Sequence, residues 1–152
     1  MSTRDDRAFT LVEILVVVVI LGLLAAVAFA AIRSSHRDAA NKVFLSNLRI
    51  ISNALRIYRI RNDAYPPDEQ VGCEPPGLSS YLQGQDWAQT TPIGGRWDWN
   101  FHRLGVTASI WVRLPDRTRE EMAEIDGQID DGNLKKGRFQ NIGPSYLYII
   151  EE

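Results

Sequence analysis

The chain has 152 residues, of which 45% are hydrophobic and 24% are charged, and its formal net charge at pH 7 is -2. This length leaves room for one membrane segment and one small domain, but not for two separate hydrophobic cores. The nearly balanced charge gives no overall attraction to nucleic acid, so no nucleic-acid partner is expected.

The first predicted element is an apolar segment that begins at Phe9 and contains no charged side chain from Ile14 to Ile32. At about 1.5 Å per residue, this part of a helix nearly matches the roughly 30 Å of a bilayer's hydrocarbon. A helix satisfies its own backbone hydrogen bonds in lipid, so we expect a membrane helix. The alternative is a discarded secretory signal peptide, since the small residues Ala28 and Ala30 fit its cleavage site.

Glu13 lies at the polar edge of this apolar segment. A lone carboxylate near lipid is costly unless it is paired, so Glu13 is expected to need a cation. The alternative interpretation is an acid stabilised by the positive N-terminal end of the helix dipole.

The stretch RAFTLVEILVVVVILGLLAA resembles the amino-terminal signature of type IV prepilins and of type II secretion pseudopilins, through Phe9, Thr10, Leu11, Glu13 and the apolar run. In that family a membrane aspartic peptidase, the prepilin peptidase, cuts before the Phe and methylates the new amine. The resemblance implies a leader of residues 1–8, cleavage between Ala8 and Phe9, and N-methylation of Phe9. The family usually has Gly at the position of Ala8.

Cleavage before Phe9 would create a positively charged amine at the start of the helix. Glu13 of one subunit can pair with the Phe9 amine of a neighbouring subunit, so these two are the predicted assembly residues. Such a pair would set the axial register of stacked helices.

Residues 33–62 are predicted to continue the helix, because they contain neither Pro nor Gly. Apolar residues at steps of four and three form one stripe, consisting of Phe44, Leu48, Ile51, Leu55 and Tyr58. The helix should end before Tyr65-Pro66, a pair that resembles the Tyr-Pro commonly found after the long helix of pseudopilins.

Residues 63–152 are predicted to form a globular head. A short helical turn is expected over residues 78–82, strands over 96–101, 107–114, 138–142 and 146–151, and a helix over 117–129. In the second strand Ile110, Val112 and Leu114 should share the buried face. The predicted fold class is therefore α+β and pilin-like. It consists of a long N-terminal helix, with a membrane half (9–32) and an amphipathic half (33–62), packed on a small antiparallel sheet.

The head has no phosphate-binding loop, metal-spaced His pair or nucleophile elbow, so we expect no enzymatic activity and no cofactor. Asp126, Asp130, Asp131 and Asn133 could supply oxygens to calcium, as a C-terminal loop does in some major pseudopilins, although a plain turn is equally natural.

Two further residue types are open to interpretation. Cys73 is the only cysteine and is expected to be a buried thiol. The four Trp residues are expected in the core or at subunit contacts, the alternative being a stacking surface for carbohydrate; they are Trp87, Trp97, Trp99 and Trp111.

Charge is distributed unevenly along the chain. Residues 33–62 contain seven Arg or Lys against one acid, whereas residues 115–152 contain nine acids against five bases. A basic stem of one subunit could therefore contact the acidic head of the next. Reversing Arg56 and Arg59 to Glu should then weaken assembly.

The predicted function is that of a structural subunit of a type II secretion pseudopilus. The resemblance implies an inner-membrane protein with a cytoplasmic N-terminus and a periplasmic head, polymerising with itself and other pseudopilins. Its other partners would be the prepilin peptidase, the inner-membrane assembly platform and the bilayer. Counting positive charges around the apolar segment would instead place the head in the cytoplasm.

Two alternatives stay open. One is a minor subunit of a type IV pilus that serves adhesion, motility or DNA uptake. The other is a membrane-tethered module that binds glycans through its Trp residues and never polymerises.

Overall fold

The computed structural model describes residues 10–82 and 84–152. The elements in chain order are the helix α1 (Leu11–Asn62), a short 3-10 helix (Ser79–Tyr81), β1 (Arg96–Arg103), β2 (Val106–Arg113), α2 (Arg119–Ile129), β3 (Phe139–Ile142) and β4 (Ser145–Glu151). The chain divides into two compact units between Asp38 and Ala39. The predicted α+β fold, with a long N-terminal helix and a small antiparallel sheet, is confirmed, and α1 ends at Asn62 as predicted.

The first unit consists, in its described part, of residues 10–38, which include the apolar half of α1. Every large apolar side chain described from Leu11 to Ile32 is exposed in the single chain, and Leu11 is 84% exposed. By its length and composition this helix is able to cross a membrane. Its backbone hydrogen bonds are internal, so the helix can form before its side chains contact lipid or another protein.

The second unit is built on an antiparallel sheet with the strand order β1-β2-β4-β3. The predicted stripe of α1 is buried in its core, where the Phe44 ring stacks on Trp97 with centroids 5.2 Å apart. Alternation along the strands brings Trp97, Trp99 and Ile110 to this core face.

The other face of the sheet is also covered near β1 and β2. Asp98 and Asn100 alternate along β1 with the core residues Trp97 and Trp99, yet they are themselves only 2% and 1% exposed. Asp98 lies 3.8 Å from the Arg113 guanidinium, whereas burial raises the pKa of the Asp98 carboxyl. Next to Asp98 across the strands, Trp111 packs with Leu147 in a second apolar cluster.

Helix α2 is stabilised at its start by a reciprocal cap. The Thr118 hydroxyl accepts a hydrogen bond from the Glu121 backbone N–H, and the Glu121 carboxylate accepts one from the Thr118 N–H. These bonds pair two of the donors that a helix start leaves free. Met122 and Ile125 then face the core.

Two burial predictions are wrong. Leu114 is 68% exposed with a φ of +53°, because β2 ends at Arg113 and the chain turns there, held by a hydrogen bond from Asp116 N–H to Ile93 O at 2.8 Å. Cys73 is exposed rather than buried, since it lies in an irregular segment outside the strands and helices.

The four Trp residues lie in the apolar clusters, and each is at most 3% exposed. The prediction of a core role is confirmed. The carbohydrate-stacking alternative is not favoured, because none of these rings presents an open face to solvent.

Candidate assembly site

The start of α1 carries the one predicted assembly residue that the structure describes, Glu13. Its carboxylate accepts a hydrogen bond from the Thr10 backbone N–H at 2.8 Å and another from the Thr10 hydroxyl at 2.9 Å. The Thr10 hydroxyl in turn accepts from the Glu13 N–H at 3.3 Å. Glu13 is thus held at the positive end of the helix by a reciprocal cap.

This cap was missed in the sequence analysis, although the spacing Thr10-x-x-Glu13 is its usual signal. It agrees with the helix-dipole interpretation of Glu13. Ala8 and Phe9 lie outside the described residues, so cleavage, N-methylation and the Glu13–amine pair stay predictions. The Glu13 carboxylate is nevertheless able to accept a further donor, because an ionised carboxylate has about four acceptor positions and the Thr10 donors use only part of them.

Beyond Glu13, α1 presents a continuous apolar surface. One shallow groove on it is lined entirely by apolar side chains, namely Leu11, Ile14, Leu15, Val18 and Val19. Such a surface is larger than soluble monomers usually expose and marks a membrane or protein contact. It can take up lipid chains or the side chains of a parallel helix.

The calcium candidates are mostly engaged with other protein groups. Asp130 accepts a hydrogen bond from the Arg138 N–H, Asp131 pairs with Lys136 at 2.8 Å, and Asn133 accepts from the Lys135 N–H. Within residues 10–82 and 84–152, no group of three or more acidic, His or Cys side chains is arranged to hold a metal ion. Calcium binding stays a prediction.

Asp126 differs from these neighbours. It is fully buried, and neither carboxylate oxygen has a hydrogen-bond partner of good geometry among the described residues, although the nearby Gly132 backbone N–H slightly lowers its pKa. Burial first, and then the negative charges of Asp130 and Asp131, raise the pKa of Asp126 to about 6. The ionised form of Asp126 therefore destabilises the head at neutral pH.

The amino-terminal part of the chain is similar to a known motif. Residues 3–29 match the family model described as the prokaryotic N-terminal methylation motif. That match covers the predicted cleavage position, Glu13 and most of the apolar segment.

Several proteins named type II secretion system core protein G are similar to this chain. The Pseudomonas aeruginosa protein is 41% identical over 70 residues, which cover 46% of this chain and 49% of that protein. The Klebsiella pneumoniae protein is 36% identical over 92 residues, which cover 60% and 64%. The chain thus spans about half the length of the first relative and under two thirds of the second.

A solved structure, that of the major type IV pilin PilA1 from Clostridium difficile, resembles the fold with a TM-score of 0.56. The two chains are 15% identical, and the match covers 78% of this chain and 99% of the pilin chain. The methylation motif and the core protein G relatives thus agree with the resemblance to type IV prepilins and pseudopilins, and the solved pilin structure agrees with the predicted fold.

Proposed function

We propose that the chain is a pseudopilin that polymerises into a periplasmic type II secretion pseudopilus and helps to export folded proteins. The observation that carries this proposal is the similarity to core protein G relatives, together with the N-terminal methylation motif over residues 3–29, which contain Glu13. The structural likeness to a type IV pilin concerns the fold alone, so the pilus alternative gains no functional support from it.

In this proposal the prepilin peptidase removes residues 1–8 and methylates Phe9. The helix from Phe9 to Ile32 first anchors the chain in the inner membrane, and the exposed apolar side chains then exchange lipid for the helices of neighbouring subunits. Glu13 accepts the Phe9 amine of a neighbour while its cap with Thr10 holds it in place.

Mass spectrometry of the membrane-extracted, full-length protein tests the processing step. The expected mature chain begins at an N-methylated Phe9. Ala8→Gly should be processed at least as completely, whereas Ala8→Leu should stay at full length because the residue before the cut must be small. A mature chain that starts near Ala30 would contradict the proposal.

The assembly step is tested separately with Glu13→Gln. This variant should still be cleaved and retained in membranes, because the apolar segment is unchanged, but it should no longer form filaments. In a strain that lacks the chain, folded proteins should accumulate in the periplasm. Loss of surface filaments with normal export would favour the pilus alternative instead.

A further inference from the structure

A basic groove lies in the second unit between residues 45–56 of α1, the end of α2, Arg138 just before β3, and Tyr148 of β4. Its volume is about 320 Å³. Leu45, Leu48 and Ile129 form an apolar floor, and three exposed guanidinium side chains line it: Arg49, Arg56 and Arg138.

The positive charge of this basic groove is not neutralised locally. No carboxylate lines it, and none of the three arginines has an ion pair within the described part of the chain. Arg59, one turn further along α1, is different, because it pairs with Glu151 and lies over the Tyr65 ring. The groove therefore suits a ligand that combines carboxylates with an apolar side chain.

The same chain presents such a ligand at the opposite edge of its sheet, in the acidic segment Asp68–Val71. This segment lies beside Asp98, Arg103 and Arg113 of β1 and β2. Arg113 is already paired with Asp98, and Arg103 donates to Asn100 at 2.9 Å. Among the described residues, Asp68 and Glu69 have no ion-pair partner, and Val71 is 42% exposed.

We propose that the acidic segment of one copy docks into the basic groove of the next copy. β1 and β3 are the two edge strands, so the segment and the groove lie at opposite edges of the sheet. A contact between two different surfaces of identical subunits is heterologous, and it continues from copy to copy instead of closing into a dimer. This inference rests on the proposed polymerisation. It also revises the predicted contact of the basic stem: the two stem arginines involved are Arg49 and Arg56, instead of Arg56 and Arg59.

Cross-linking in membranes tests the contact with the full-length chain carrying Cys73→Ser, Asn53→Cys and Gln70→Cys. Asn53 lines the basic groove, Gln70 belongs to the acidic segment, and both are exposed. A short bismaleimide should produce a ladder of covalent multimers, and neither single-Cys variant should do so. Dimers only, no product, or links to other proteins would overturn the contact.

Charge reversal tests its chemistry. Arg49→Glu with Arg56→Glu should lower the multimer yield about tenfold, because attraction becomes repulsion at two positions. Adding Asp68→Arg and Glu69→Arg to the same chain should restore the yield. The matched control, Lys42→Glu with Lys135→Glu, changes the charge equally outside the groove and should have no effect. Failure of the rescue, with a head as protease-resistant as the parent's, would refute the pairing.

A second cross-link separates this inference from the proposed function. Val17→Cys in the Cys73→Ser background reports contact between apolar helices. If Val17→Cys cross-links but the groove pair does not, only the docking contact fails. If neither the groove pair nor Val17→Cys cross-links, polymerisation itself is refuted.

Discussion

The two units contain similar apolar side chains but place them in opposite environments. Leu11 and Phe29 in the first unit are 84% and 66% exposed, whereas Phe44 and Leu55 in the second are fully buried. Burying one such side chain stabilises by about 1.5–3 kcal/mol. The second unit gains this free energy within one chain, whereas the first can gain it only from lipid or from other copies.

The largest expected effect on this difference between the two units comes from placing charged side chains in the first unit. Val18→Arg with Leu21→Arg should release the chain from membranes, since each arginine near the centre of a membrane helix costs about 3 kcal/mol. Ile57→Arg with Ile60→Arg, at exposed positions of the second unit, should leave retention unchanged. Membrane fractionation measures both. Equal release by the two variants would show that the first unit is not the anchor.

A cavity in the second unit should lower the stability of the head and leave membrane retention unchanged. Trp99 is fully buried, and its indole N–H donates to Pro66 O at 3.1 Å. Trp99→Ala should lower the free energy of unfolding by about 3–5 kcal/mol without changing membrane retention. Trp99→Phe keeps most of the ring and should cost less. Limited proteolysis measures the loss, and unchanged resistance of Trp99→Ala would contradict the assigned core.

The smallest of the three effects concerns Asp126 and depends on pH. Its pKa is about 6 in the folded head against 3.8 for the ordinary group, so the unfolded chain loses its proton first and stability falls as pH rises from about 4 to 6. Asp126→Asn should therefore stabilise the head by up to about 3 kcal/mol at pH 7 and by little below pH 4.

Thermal unfolding at the two pH values measures the Asp126 effect. Asp116→Asn, at an exposed carboxylate, is the matched control and should show no such difference. Repeating the measurement with calcium tests the metal hypothesis, because bound calcium should stabilise the parent at pH 7 but not Asp126→Asn. A parent with the same stability at both pH values would contradict the burial of a charged Asp126.

The local sequence pattern was sufficient to predict the helices and strands. The steps of four and three from Phe44 to Tyr58 predicted the core face of α1, and the Asn-Asp-Ala-Tyr-Pro stretch predicted its end at Asn62. The strands begin and end within two residues of the predicted bounds. Periodicity and turn residues act over a few neighbours, so the chain reveals them without knowledge of the fold.

The sequence by itself determined the apolar anchor and the order of the elements, and the spacing Thr10-x-x-Glu13 also encodes the cap that the sequence analysis overlooked, because each depends on side chains within one or two turns. Tertiary structure alone decided that Asp98 and Asp126 are buried, that Leu114 is exposed and that Arg59 is neutralised by Glu151. It also placed the basic groove and the acidic segment at opposite sheet edges. Alternation shows which side chains share a face, but whether that face is covered depends on segments distant in the chain.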